Sequence, residues 1–394
     1  MLHFTHAKHL CTGCSACYAA CPVKCIRMEL DEEGFLYPVK SDNCIDCGLC
    51  ERICPIKNPL KVSDFEQSAC AAVSKDDRIW SESASGGAFS EICTLYGDES
   101  TIFVGAAFEG RKVHHICVTG IDAISPLRKS KYLESEIGNS FNHIKEYLHQ
   151  GKKVVFCGTP CQVAGLHAYL GKKYDTLLTI DLICHGVGSP KVFEHCIEKI
   201  QMQFGMNVSA YEFRAKRAIH ETDHLAKLRW GNGKEQFIVE DPYIQLFLKQ
   251  LVLRPSCGGN CQFRNEKRQG DLTIADFKGL AQVYPHLAGC KKNYSTVVAN
   301  STKGLAVMNC LHERMHILPC TLEDIKKYNP LFARHTWSTA ERDVFFADFV
   351  RSPQKAIDVW TKPARVLSVT MKYRIKRWLP VSVIRMILKL KGEK

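Results

Sequence analysis

The sequence predicts a mixed α/β body preceded by a small, loop-rich module built around cysteine. Three observations predict it. Between Cys11 and Pro55 the run C-x2-C-x2-C-x3-C-P occurs twice. Beyond Gln67, short apolar runs alternate with helical patterns, as expected of strands interleaved with helices. A chain of 394 residues is also too long for one small core, so two or three domains are expected.

The first run holds Cys11, Cys14, Cys17 and Cys21, closed by Pro22; the second holds Cys44, Cys47, Cys50 and Cys54, closed by Pro55. This is the ligand spacing of a bacterial two-cluster ferredoxin, in which the fourth cysteine of each run serves the other cluster. Cys11, Cys14, Cys17 and Cys54 are therefore assigned to one 4Fe-4S cluster, and Cys21, Cys44, Cys47 and Cys50 to the second. Thiolates two residues apart wrap one face of a cuboidal cluster, backbone amides point at its sulfurs, and the proline turns the chain away. Structural zinc also uses C-x2-C pairs, but it closes with four ligands, whereas here eight fall in two identical runs. Cys25 lies outside the pattern and is expected to be a buried thiol. Asp31-Glu32-Glu33-Gly34 fits a hairpin turn between the runs, and Asn58-Pro59 with Lys61 to Gln67 reads as a linker.

In the body, strands are expected at Ala69 to Val73, Ile102 to Ala107, Val113 to Val118, Lys153 to Phe156, Leu177 to Ile183 and Leu272 to Ala275. Helices are expected at Gly86 to Leu95, Gly138 to His149, Cys161 to Leu170, Lys191 to Phe204, Pro242 to Leu251 and Gly304 to Arg314. Leu225 to Trp230 and Glu235 to Val239 flank Gly231-Asn232-Gly233, a hairpin signal. From Asn329 onward only helices are expected. The resulting division is 1–62, 63–150, 151–330 and a basic helical tail at 331–394.

Composition narrows the function classes. The chain is 45% hydrophobic and 24% charged, as ordinary globular proteins are. Its 21 cysteines would suggest disulfides in a secreted protein, but their spacing and the lack of an apolar leader after Met1 favour a reducing cytoplasm. No apolar run approaches the ~20 residues that span a bilayer. The net charge of +12 is concentrated: Thr361 to Lys394 hold ten Lys/Arg and one acid. The rest is nearly balanced, which disfavours a nucleic-acid groove. The tail mixes Val, Leu, Ile, Met and Trp378 with its bases, so contact with an anionic membrane surface and docking to a partner are both open.

Several segments place reactive residues where strands end, the edge at which open α/β sheets bind ligands. Ser83-Ala84-Ser85-Gly86-Gly87-Ala88-Phe89-Ser90 follows a strand and opens a helix, so it reads either as a phosphate cradle or as an ordinary serine-capped start. Phe156-Cys157-Gly158-Thr159-Pro160-Cys161-Gln162 and Asp181-Leu182-Ile183-Cys184-His185-Gly186 end two successive strands. Arg254-Pro255-Ser256-Cys257-Gly258-Gly259-Asn260-Cys261 and Gly270-Asp271-Leu272-Thr273-Ile274-Ala275-Asp276 follow. Cys161, Cys184, Cys257 and Cys261 are either ligands of a third 4Fe-4S cluster or simply buried thiols. His185 is a candidate proton donor, although a lone histidine is more often structural. Asp271 and Asp276 are expected to be caps.

In this order the segments resemble the coenzyme F420 hydrogenase/dehydrogenase beta-subunit family. The resemblance runs from about residue 8 to about 300, through S-x-S-G-G-A-F-S, K-S-K-Y (Lys129 to Tyr132), C-G-T-P-C-Q, D-L-I-C-H-G, the C-x3-C pair and G-D-L-T-I-A-D. It implies FAD and an iron–sulfur relay passing electrons to or from it. It marks Ser85, Gly86, Gly87, Ser90, Lys131 and Tyr132 as flavin contacts and the four scattered cysteines as third-cluster ligands. Hydrogenase members of the family use C-x2-C where this chain has Cys257-x3-Cys261. The expected function is a flavin- and 4Fe-4S-dependent oxidoreductase acting on a small organic substrate, with ferredoxin or another carrier as partner. The alternative is an electron-transfer subunit without its own substrate.

Overall fold

The computed structural model describes residues 8–61, 64–216, 225–259, 261–333 and 340–366. The cysteine module contains helix α1 (Ala16–Ala20), the antiparallel hairpin β1 (Ile26–Leu30) and β2 (Leu36–Lys40), and helix α2 (Leu49–Arg52). The expected turn closes the hairpin. Gly34 takes φ +86°, its amide donates to Asp31 O at 3.0 Å, and Asp31 Oδ1 accepts the Phe35 amide at 2.9 Å. The hairpin tip is plugged into the body: a Cβ on Gly34 would lie 2.3 Å from Lys191 Cβ, and Phe35 is fully buried beside Phe346.

Along the body run β3 (Ser68–Ser74), α3 (Asp77–Ser81), α4 (Ala88–Tyr96), β4 (Ile102–Glu109), β5 (Lys112–Thr119), α5 (Ser140–His149), β6 (Val154–Gly158), α6 (Pro160–Leu170), β7 (Leu177–Leu182) and α7 (Pro190–Phe204). Then come β8 (Val208–Glu212), β9 (Ala226–Trp230), β10 (Glu235–Val239), α8 (Pro242–Leu248), β11 (Leu272–Asp276), α9 (Leu280–Val283), β12 (Ser295–Ala299), α10 (Thr302–Cys310), β13 (Met315–Pro319) and α11 (Leu322–Tyr328). Helices α12 (Ala340–Arg351) and α13 (Pro353–Trp360) lead to the short strand β14 (Arg365–Val366).

Eight strands form one mixed sheet in the order β13-β3-β12-β11-β7-β6-β4-β5. Strands β4, β6, β7 and β11 pair in parallel, and β3, antiparallel to β12, points the same way. The loops that follow β3, β6, β7 and β11 therefore open at one edge. The period of two divides the strand residues between faces. Phe103 and Val155 pack under α4 and its Ile92 and Cys93, whereas Ile102, Val104, Val154 and Phe156 pack under α5 and α6. The sheet takes strands from both sides of residue 150, so 63–150 and 151–330 share a core.

A second sheet, β14-β10-β9-β8, carries α7, α8, α12 and α13 over a core that includes Trp230, Tyr243 and Phe345. The expected Gly231-Asn232-Gly233 hairpin is its centre. Strands β8, β12, β13 and β14 were not expected. All five residues of β12 are buried in mid-sheet, so the strand shows no alternation to reveal it. Helix α8 stops at Leu248, short of Leu251, and α10 gives way at Leu311–Glu313 to a 3-10 turn. The tail contributes α12 and α13, and its basic stretch beyond Val366 lies outside the described residues. Among the described residues no helix is long and apolar enough to cross a membrane.

Candidate iron–sulfur and flavin sites

The four scattered cysteines converge. Cys161 stands in the first turn of α6, which Thr159 and Gln162 cap reciprocally and Pro160 starts; that cap brings Thr159 Oγ1 within 3.1 Å of Cys161 Sγ. Cys184 follows β7, and its sulfur accepts the Gly186 amide at 3.3 Å. Cys257 closes a 3-10 turn, and its sulfur accepts the Val187 amide at 3.5 Å. These two and Cys261 line one cavity with Cys161, and Cys161, Cys184 and Cys257 each feel the charge of others in the set. Burial pushes the Cys257 thiol up to about 12 and raises Cys161 and Cys184 as well. Four cysteines gathered on one cavity suit a cationic iron core, which binds thiolate. Arg264 supplies further positive charge, donating to the carbonyls of Cys184 at 3.3 Å, Cys257 at 3.1 Å and His185 at 3.0 Å. Among the described residues no trio of His, Cys, Asp or Glu closes on a single-ion site.

In the module, Cys11, Cys14, Cys17 and Cys54 gather on one cleft, and Cys14 and Cys17 each sense both Cys11 and Cys54. The crossed assignment of the fourth cysteine therefore has a geometric counterpart. Burial pushes the Cys14 thiol up to about 12. Cys50 neighbours Cys44 and Cys47. Cys25 is 2% exposed, as expected, and its sulfur lies 3.4 Å from that of Cys21. Cys47 is exposed, so the second set reaches the surface there. The first set faces inward: Cys14 packs on α6, where a Cβ on Gly165 would fall 2.9 Å from Cys14 Cβ.

At the loop expected to contact flavin, the structure gives several of the expected contacts packing duties. Ser85 Oγ donates to Tyr294 O at 2.8 Å. Gly86 lies flat on the sheet, where a Cβ would be 2.2 Å from Ala72 O and 2.5 Å from the Ser295 amide nitrogen. Gly87, at φ +98°, caps α4. Ser90 is buried and its hydroxyl has no hydrogen-bond partner among the described residues, which makes it the polar group of this loop that is left for a ligand. Lys131 Nζ donates to the carbonyls of Pro126 at 2.9 Å and Arg128 at 2.6 Å, and burial pulls it down to about 7. Tyr132 stacks on Phe247 at 4.7 Å and is hydrogen-bonded to Arg214, which pairs with Asp276 at 2.5 Å. The His185 ring lies 5.1 Å from that of Phe247. Asp271 receives the Thr179 amide and the Ser301 hydroxyl, and Asp276 pairs with Arg214, so these two acids bridge separate elements where caps were expected.

Comparison with known proteins finds similarity in two regions of the chain. Residues 151–324 match the family model for the C-terminal region of the coenzyme F420 hydrogenase/dehydrogenase beta subunit, and residues 10–58 match a 4Fe-4S dicluster domain. The chain is similar to this family over residues 151–324. It carries the dicluster domain in front of the family's C-terminal region, in a mixed α/β body. Among curated relatives, NADH-quinone oxidoreductase subunit I 2 of Geobacter metallireducens is 32% identical over 71 residues, 16% of this chain and 54% of the relative. A ferredoxin of Saccharopolyspora erythraea is 30% identical over 77 residues, 20% of this chain and 69% of that one. The chain thus spans about half the length of the first of these relatives. Among solved structures, the F420-reducing [NiFe] hydrogenase complex from Methanosarcina barkeri, solved as a xenon derivative, has a chain with 16% identity and a TM-score of 0.43. That match covers 74% of this chain and 91% of that one.

Sequence reasoning missed Arg254, Glu134, Arg264, Arg214 and the Thr12-Gly13 peptide. Glu134, Arg264 and Arg214 follow no local pattern, and Arg254, Thr12 and Gly13 lie in cysteine segments that do not reveal what they touch.

Proposed function

We propose that this protein is a flavin-dependent iron–sulfur oxidoreductase with three 4Fe-4S clusters. When bound, the clusters supply one-electron transfer and FAD supplies the exchange between one and two electrons. The observation that carries the reading is the convergence of Cys161, Cys184, Cys257 and Cys261, drawn from three separate segments, on one cavity that Thr12 and Gly13 of the dicluster domain also line. Cys21, Cys44, Cys47 and Cys50 would hold the surface-facing cluster, accessible to a ferredoxin or similar carrier. Cys11, Cys14, Cys17 and Cys54 would hold the inner one.

For the flavin, the residues available are Ser90, the first-turn amides of α4, and Lys131 and Tyr132. Free amides at a helix start suit a diphosphate. Lys216, whose ammonium donates to Trp80 O and Ser85 O at 2.7 Å, would fix the loop before α4. A catalytic part for His185 is not needed by this reading, and its ring serves to border the Tyr132 side of the site. The test is anaerobic purification with iron, sulfide and flavin analysis. About twelve irons per chain and bound flavin are expected; a loaded protein with about eight irons would remove the third cluster.

A second reading, an electron-transfer subunit without its own substrate, is favoured by the matching family model, which describes the beta subunit of a larger oxidoreductase. Turnover of reduced protein with small organic acceptors in the absence of any partner separates the two.

A further inference from the structure

Arg254 sits at the junction between the dicluster domain and the body, and it is 1% exposed. Its backbone belongs to the third cysteine set: its amide donates to Val187 O at 2.9 Å and its carbonyl accepts the Cys257 amide at 2.8 Å. Its side chain belongs to the first set. Nε donates to Cys11 O at 2.8 Å, Nη2 donates to Leu36 O at 2.9 Å and stands 3.9 Å from Cys11 Sγ, and the guanidinium stacks 4.1 Å from the Tyr37 ring centre. Nη1 is held by Glu134, whose other oxygen accepts the Leu36 amide at 2.8 Å. Gly13 passes so close that a Cβ there would fall 2.8 Å from Glu134 Oε1 and 2.9 Å from Arg254 Nη1.

The ion pair is thus a dipole buried at the junction, with its guanidinium on Cys11 and its carboxylate beside Gly13. A cluster with four thiolate ligands carries net negative charge that grows on reduction. Net charge and hydrogen bonds at the sulfurs are the levers that set its potential. In a buried site the field of one guanidinium is weakly screened. We infer that Arg254 is a positioning residue that raises the reduction potential of the centre held by Cys11, Cys14, Cys17 and Cys54, with Glu134 tempering it. Its backbone ties the same charge to the loop of Cys257, so the inner and third cysteine sets are held at a constant spacing. The surface set has no share in this contact among the described residues.

The inference rests on the three-cluster reading, and the experiment separates the two. The full chain, anaerobically loaded, is titrated with EPR detection as wild type, R254Q, R254K and E134Q. R254Q should lower one ferredoxin-type potential by at least tenfold in the one-electron equilibrium, about 59 mV. E134Q should raise the same potential, and R254K should restore it toward wild type. Should R254Q fail to load iron, the opposite shift in E134Q decides alone. Potentials unmoved in both variants, shifts of the same sign, or a shift shared equally by every centre would overturn the inference. Absence of iron from the wild-type module would instead defeat the cluster reading itself.

Discussion

Gly165 offers a test in which the ordinary rule should change sign. Replacing glycine by alanine in a helix interior usually stabilises by ~1 kcal/mol, because the unfolded backbone loses freedom. Gly165 lies mid-way along α6, but the new methyl would stand 2.9 Å from Cys14 Cβ, 3.1 Å from its sulfur and 3.2 Å from its carbonyl oxygen. None of these atoms is the tip of a flexible chain, so the whole first-cluster loop must retreat from the helix. Overpacking of this kind costs about 1–3 kcal/mol, so the helix gain is cancelled and the net effect ranges from roughly neutral to a loss of ~2 kcal/mol. The displacement falls on a cluster ligand, and metal ligation holds this module more than any apolar core. G165A should therefore load less iron at the inner site and lose it faster in air, with a melting temperature no higher than wild type. The assay is iron per chain and thermal unfolding under anaerobic conditions. A variant with full iron and a raised melting temperature would refute the packing of Cys14 on α6.

Three further outcomes are expected. C261S should cost about four irons per chain while leaving the dicluster spectrum in place, and full iron retention would show that Cys261 is no ligand. K131M should lower bound flavin at unchanged iron content, and an unchanged flavin-to-iron ratio would take Lys131 out of the flavin site. His115 is buried, donor–acceptor paired with Ser135 Oγ at 2.8 Å, and burial pulls its pKa from 6.5 down to about 3. The unfolded chain then binds a proton that the folded one refuses, so the contribution of His115 is full above 6.5 and falls as the pH drops toward 3. Urea unfolding should show H115Q losing less stability than wild type between about pH 7 and about pH 5; equal slopes would contradict the burial.

The parts of the fold that were legible are those with a local cause. The double cysteine run announces its ligands because iron ligation demands close spacing, and Gly34 announces its turn because the backbone there needs positive φ. Strands β4, β6 and β7 and helices α5, α6 and α7 were found from apolar runs and helical periodicity that the fold keeps. Strand β12 was missed because burial on both faces erases its period, and β8, β13 and β14 because they are short or lie at a sheet edge. At the candidate site, Ser85 and Gly86 matched a ligand-binding pattern, yet their hydroxyl and missing Cβ answer to Tyr294, Ala72 and Ser295. Tyr294 and Ser295 each lie 209 positions from the residue they meet, and no local pattern announces such contacts.

Taken alone, the sequence determined the cluster module, the α/β character of the body and the family order of its motifs. Each of these is written in spacing, and spacing is a one-dimensional property. Tertiary structure decided which strand ends share an edge, that Cys161, Cys184, Cys257 and Cys261 meet, and that Thr12, Gly13 and Arg254 stand between them and the first cysteine set. Those are facts of chain crossing and burial, which arise only when β6, β7 and the loop before β11 are brought side by side. The same closure removes water from Arg254 and Glu134, and so gives two otherwise ordinary side chains an electrostatic reach that no local pattern encodes.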